Sequence, residues 1–574
     1  MQNDKQNDPS KIGLVNIFGW IGVSLALDMA TLLAAMYCIT SEKHADAAKM
    51  TMFAIVVAFT SAALNVILII CLVWRCCRRR DNFQRLLFAL ACCITVVALV
   101  YAGENARARR DWNHFKQAAA VDGEKLEVAD FIPPSVADEK NLALTPLLRP
   151  CLDYVRTNNS VRWSDTNGRA RLLEIQISDA KALTGLGGFG PNARVDLEPL
   201  RKYFQSSPQF PQPKTPGTAA EDILLALGKF DGELAELRVA AMTRPDARFA
   251  LHYDESQPLD ILFFHLPPVS GLTRVLVVRA AAWLEMNKPD EALADLKIAI
   301  RLSDAVRGEP FLISHLVRGY ALYFNLLCVH AGLAQRAWND SQLAELEQQL
   351  SSVDLLREYQ HSLRGERSYF LKGIDGFRRD GYRATSYFFE PQLEAKIEIF
   401  VSPFLPDALF TQNLLTLSEN FRDWILPAVN PQNHQVYPEL AGEFKRSLKE
   451  SSTTPYNIFA MVMLPTLSAA PERVARTQSY LDLARTAIAL ERYRLAHGEF
   501  PEVLDSLAPQ FIAQVPHDVI GGQPLKYRRT SDGQFILYSI GWNEKDDGGV
   551  TVIPKGGSQP KFEEGDWVWR YPTK

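Results

Sequence analysis

The chain has 574 residues, 47% of them apolar and 22% charged, with a formal net charge of -4. That balance supplies no basic field of the kind nucleic acid requires, which excludes nucleic acid as a partner. It leaves material for several domains, and of the eight cysteines only Cys151 and Cys328 fall after residue 104. Each sits among apolar neighbours, which predicts two buried free thiols, with one disulfide as the alternative.

Three apolar runs fill the first hundred residues: Ile12 to Cys38, Met52 to Trp74 and Leu86 to Ala102. A bilayer core of roughly 30 Å needs about 20 apolar helical residues. The first two runs exceed that length and the third just reaches it, which predicts a three-helix membrane anchor over 1–104. The first run is too long for a cleaved signal peptide, and no small-residue cleavage site follows it. Arg75, Arg78, Arg79, Arg80 and Arg85 cluster between the second and third runs. Positive loops favour the cytoplasm, so this cluster is expected inside, together with Lys5 and Lys11. Residues after Gly103 then lie outside, against the opposing charge of Lys43, Lys49, Arg107, Arg109 and Arg110. The expected location is a bacterial cytoplasmic membrane, multi-pass, with a large extracytoplasmic domain. Asp28 lies deep in the first run. It is expected to be protonated or bonded to Asn16, Asn65 or a hydroxyl, since a lone acid does not make an ion path. Cys76-Cys77 beside arginines fits either lipidation or chance membrane cysteines.

Residues 105–218 read as a mixed region. Asp111 to Ala120 is a short expected helix, Pro133-Pro134 a break, and Phe204 to Pro216 a Pro-rich connector. Leu172 to Ser178 alternates like a strand. The run Gly185 to Gly190 satisfies the letters of a dinucleotide fingerprint. That motif needs a helix opening at its last glycine, and Pro191-Asn192 follows instead, so a flexible loop is expected.

An α-helical body is expected over 219–400. Ile223, Leu224, Leu227, Leu234 and Leu237 recur at helical spacing within one amphipathic helix, Ala219 to Met242. Further on, Ala280, Trp283, Ala292, Leu296 and Ala299 fall at the key positions of a tetratricopeptide-like helical hairpin turning at Asn287 to Asp290. Phe311 to Gly332 and Ser341 to Leu363 continue as helices without repeating it, so a bundle is predicted rather than a repeat array. Glu309, His315, Arg318, Arg364, Glu366 and Arg367 are the polar residues of this block that could resemble a site, and structural ion pairs are the expected role. No catalytic signature with recognisable spacing occurs. Residues 401–455 are expected to wrap the bundle irregularly.

The final segment, 456–574, predicts a small α+β module. Pro471 to His497 is a helix stopped by Gly498, and Leu525 to Arg529 and Gln534 to Ile540 are strands joined through Ser531-Asp532-Gly533. A glycine-rich acidic loop, Gly541 to Gly549, follows. The helix ending Tyr493 to Gly498, then Phe500-Pro501, Leu504 to Leu507, Val515 to Asp518, Gly522 to Tyr527 and Tyr538 to Gly541 appear in one order. In that order this stretch resembles the periplasmic part of type II secretion pseudopilins, the major one in particular. Met463 to Ser468 looks like the exit of a pilin's N-terminal helix. The chain departs from that family by lacking a Gly-Phe-Thr-Leu-x-Glu processing signal and by carrying Val519 and Ile520 where the family has proline and an aromatic. The whole chain also resembles uncharacterised bacterial membrane proteins sharing this ending. The resemblance implies a pilin-like head and calcium in the loop, where Asn543, Asp546 and Asp547 stand, with Glu544 close by. A bare acidic turn is the alternative.

These readings combine into a mainly α protein with no required cofactor. It would work by contact with other envelope proteins, near secretion or pilus-like machinery. The alternatives are an enzyme sited around Glu309, His315 and Arg318, and a transporter-associated subunit using Asp28.

Overall fold

A computed structural model describes residues 80–157, 160–177, 179, 181–190, 194–253, 261–380, 405–554 and 560–572. The first two expected spans, Asp28, Arg75, Arg78 and Arg79 lie outside the described residues. The chain divides into two compact units, Met1–Glu104 and Asn105–Lys574. Among the described residues it is mainly helical, with three small antiparallel sheets.

Helix α1 (Arg80–Val121) continues through the third apolar run and the expected short helix after it. Its stretch from Leu87 to Tyr101 leaves Phe88, Ile94, Val97 and Leu99 more than half exposed. In the second unit, β1 (Tyr154–Thr157) pairs antiparallel with β2 (Ser160–Trp163). Then comes α2 (Thr166–Glu174), whose Asp165 side chain accepts from the Gly168 amide at 2.8 Å. This corrects the strand expected from Leu172. The alternation there coexists with a helical cap, and the cap starts a helix that runs through Leu172 and Leu173.

The Gly185 to Gly190 run is also corrected. Ala182 to Leu186 form a packed 3-10 turn, and the next helix, α3 (Glu198–Gln205), begins well beyond the last glycine. A Cβ on Gly185 would meet the Asp196 carbonyl oxygen at 2.2 Å, so the glycine is needed for close backbone approach. The expected helix from Ala219 divides into α4 (Ala219–Leu227), a 3-10 turn, and α5 (Asp231–Thr243). Thr218 and Glu221 form a capping box at the start of α4.

The centre of the body is α6 (Leu266–Glu285), α7 (Pro289–Asp304), α8 (Leu312–Ala334), α9 (Asp340–Ser351) and α10 (Leu355–Asp380). Helices α6 and α7 pack as the expected hairpin, with Ala280, Ala292, Leu296 and Ala299 all buried and Trp283 packed partly exposed against the core. Small alanines let the two backbones approach. Asp354 interrupts the helix expected from Ser341 by accepting the Arg357 amide at 3.0 Å. After α11 (Asp407–Asn420), β3 (Val429–Asn430) and β4 (Gln435–Val436) form a short hairpin, followed by α12 (Pro438–Glu450) and α13 (Ile458–Met463). The region expected to be irregular is thus largely helical where it is described.

Helix α14 (Ala470–His497) ends at Gly498, whose φ of +87° is the left-handed conformation glycine adopts readily. It packs against α8, α9 and α10. Strands β5 (Lys526–Arg529), β6 (Phe535–Ser539) and β7 (Trp567–Trp569) make one antiparallel sheet on α14. The aromatic hub of the body is Phe189, which stacks on Tyr480 at 4.2 Å and Trp569 at 5.1 Å, edge-on to His330 at 5.7 Å. Four distant segments therefore share one buried core.

Candidate functional site

Most polar residues singled out in the sequence are drawn inward and partnered there by other side chains and backbone amides. Arg318 is buried in a bidentate bond to Glu358 at 2.7 and 3.1 Å, with Asp304 at 2.7 Å. Burial would lower the guanidinium, and Glu358 and Asp304 more than offset it, so its pKa is raised. Glu309 lies 2.8 Å from His265 and accepts from the Ser314 hydroxyl. Glu366 accepts from the Leu312 amide at 3.0 Å, capping α8, and burial raises its carboxyl to about 7. Arg364 and Arg367 clamp Glu124 at 3.0 and 2.7 Å. Burial alone would raise Glu124, and those two arginines pull it below the ordinary carboxylate value. Cys151 and Cys328 are free and buried, and burial lifts the Cys151 thiol to about 12.

Two of the cavities among the described residues open on this framework. The larger, of about 770 Å³, is a cleft between the start of α10 and the β3–β4 hairpin, lined by Arg357, His361, Arg364, Leu426, Pro431 and Tyr437 among others. Gln360 donates from its amide to the Leu426 and Val429 carbonyls at 2.6 Å each and so fixes the two walls. Burial lowers the His361 imidazole, so it is mostly neutral near neutral pH.

The smaller cavity, of about 340 Å³, lies where α8 meets the first turns of α14. His315 lines it, with Tyr320, Tyr323, Arg473, Arg476 and Phe562. His315 is 5% exposed, and burial, with Arg318 adding, pushes its pKa down to about 3. The expected grouping of Glu309, His315 and Arg318 is therefore split: His315 faces a cavity, Arg318 is consumed in core ion pairs, and Glu309 turns to Ser314 and His265. Sequence spacing could not show this, because Tyr323, Arg476 and Phe562 are far apart along the chain.

The C-terminal acidic loop is ordered from a residue the sequence reading missed. Asp566, buried, accepts from the amides of Asp547, Gly549 and Val550 at 3.2, 2.6 and 3.2 Å. Asp546 accepts from the Tyr538 hydroxyl at 2.9 Å and pairs with Lys526 at 3.2 Å, while Asn543 donates to Asp547 at 2.8 Å. Calcium takes six to eight oxygens. Here Asp546 is held by Tyr538 and Lys526, Asp547 by Asn543, and no cluster of three or more His, Cys, Asp or Glu that could hold a metal occurs among the described residues.

Further back, Asp518 is buried and accepts from the amides of Ile520 and Ile540 at 3.0 and 2.9 Å and from the Ser539 hydroxyl at 2.7 Å, with burial raising it to about 6. It fastens the Val515 to Asp518 turn to β6. His434, with a φ of +52°, reaches Asp482 on α14 at 2.8 Å.

Three helical segments among the described residues are long and apolar enough to cross a membrane: Leu87–Val121, Leu312–Ala334 and Ile458–His497. Comparison with protein-family models, with characterised proteins and with solved structures gave no match.

Proposed function

We propose that this chain is a membrane-anchored protein of the bacterial envelope whose extracytoplasmic body binds partner proteins rather than turning over a substrate. One observation carries the reading. The apolar window of Leu87–Val121 has none of its residues buried, whereas those of Leu312–Ala334 and Ile458–His497 are 72% and 44% buried. An apolar surface of that length needs a cover, and a bilayer supplies it. Binding is supported by the cleft beside the β3–β4 hairpin and by the engagement of buried Arg318 and Arg367 in structural pairs. The pseudopilin-like order of 456–549 favours partners in a secretion or pilus-like machine. A photo-crosslinking residue at Gln432, in the cleft, tests this against one at Met242, exposed on α5. Discrete adducts at Gln432 and none at Met242 are expected in intact cells. The same pattern from both positions contradicts the proposal.

A further inference from the structure

The cavity at the α8–α14 junction carries an inference beyond partner binding. Four features converge there. His315 is almost fully buried yet makes no hydrogen bond through its ring among the described residues; its one ring contact is Tyr359 at 5.6 Å. His315 lines the cavity, so a ligand atom there can supply the hydrogen bond that its ring does not make among the described residues. Three rings, Tyr320, Tyr323 and Phe562, form part of the wall, and Gly319 leaves space because it has no side chain. Two arginines stand at the first turns of α14. Arg476 is already held, by Glu472 at 3.3 Å and against the Phe562 ring at 4.0 Å, whereas Arg473 is exposed with no ion pair among the described residues. Among the described residues, no carboxylate lines the cavity. The nearby acids are Glu472, held by Arg476, and Glu563, which lies close enough to raise Glu472.

We propose that this cavity binds a small aromatic carboxylate. The ring lies among Tyr320, Tyr323 and Phe562, the carboxylate meets Arg473 at the mouth, and a polar ring substituent completes the His315 hydrogen bond. The volume, about 340 Å³, is at the lower end of ordinary ligand pockets and suits one or two fused rings. A neutral imidazole can both donate and accept, so a phenol satisfies it without a charge being buried. Arginine at a helix start favours the anion through its own charge and the helix dipole.

The test uses the full chain in detergent, titrated by calorimetry with 4-hydroxyphenylacetate, phenylacetate and 4-hydroxyphenylacetamide. The hydroxy acid should bind about tenfold or more tightly than the amide, and Arg473→Gln should erase that preference. Loss of the hydroxyl should cost a similar factor in the parent and nothing in His315→Phe. Gly319→Phe should abolish binding by filling the space; its Cβ would meet only Thr477, at ordinary contact distances of 3.8 and 3.9 Å. Arg473 is exposed, so its variant reads out even where the two interior variants fail to fold. Equal binding of acid and amide, an unchanged preference in Arg473→Gln, or no binding of any probe overturns the proposal.

Discussion

Two helical segments of this chain have nearly the same reason to be membrane spans and opposite surroundings. Leu87–Val121 and Leu312–Ala334 are both long and apolar enough, with mean hydropathies of 2.1 and 1.3 over their best windows. The first exposes its apolar side chains along the whole window, while Leu322, Leu326 and Val329 of the second are fully buried. The second also carries what a bilayer would penalise: a buried Arg318 with its carboxylates, and Glu366 capping its first turn. Hydropathy therefore states how much apolar surface must be hidden, and the packing of the remaining chain states what hides it.

Charge placed on each helix separates the two most sharply. Leu326→Asp should unfold the body, at a cost of about 4 kcal/mol or more, because an unpaired acid enters a closed core. Val97→Asp should leave the urea midpoint of the body unchanged and reduce the membrane-bound fraction, since an acid at mid-bilayer costs about 3 kcal/mol of insertion. Equal destabilisation by both would mean the exposed helix is packed after all.

Next in size is the hairpin that supports α8. Ala292→Arg places a charge at a position with no exposed surface, and a loss of about 3 kcal/mol is expected in a chemical melt. Wild-type stability would remove the α6–α7 contact from the account.

Glu366 gives the buried helix a pH dependence. Its folded pKa, about 7, lies above the unfolded value, so the folded state holds a proton that the unfolded state releases. Stability from this group is present below about pH 4.3 and is lost as pH rises to about 7. The neutral Glu366→Gln should therefore gain on the parent between urea melts at about pH 5 and about pH 8. A difference that does not grow with pH would contradict the neutral cap. His330 and His315, both pushed down by burial, act in the opposite sense on acidification, which is why the comparison is made against the variant.

The smallest effect is local. Gly498→Ala at φ +87°, with open space around it, should cost about 1 kcal/mol through backbone strain alone, read as a small fall in melting temperature.

What was legible in the sequence was local. The Gly498 stop, the β5–β6 hairpin at Ser531 to Gly533 and the alanine spacing of the α6–α7 hairpin all depend on neighbours within a few turns. Leu172 misled because alternation and helical periodicity overlap over so few residues, and the Asp165 cap decided between them. The site was barely legible. His315 was visible as a polar residue on an apolar helix, but its cavity is walled by side chains from α8, α14 and the Phe562 turn. Phe189 likewise looked like part of a flexible loop until Tyr480 and Trp569 closed on it. Nothing in local spacing encodes such meetings.

The central claim is that the exposed helix is a membrane span with the body outside. Val121, at the end of α1, is 88% exposed and so can carry a reporter cysteine without touching the core. Intact spheroplasts making full-length Val121→Cys should take up a membrane-impermeant maleimide above the level of the parent chain. Labelling above the parent only after the membrane is lysed would place the body inside and contradict the account.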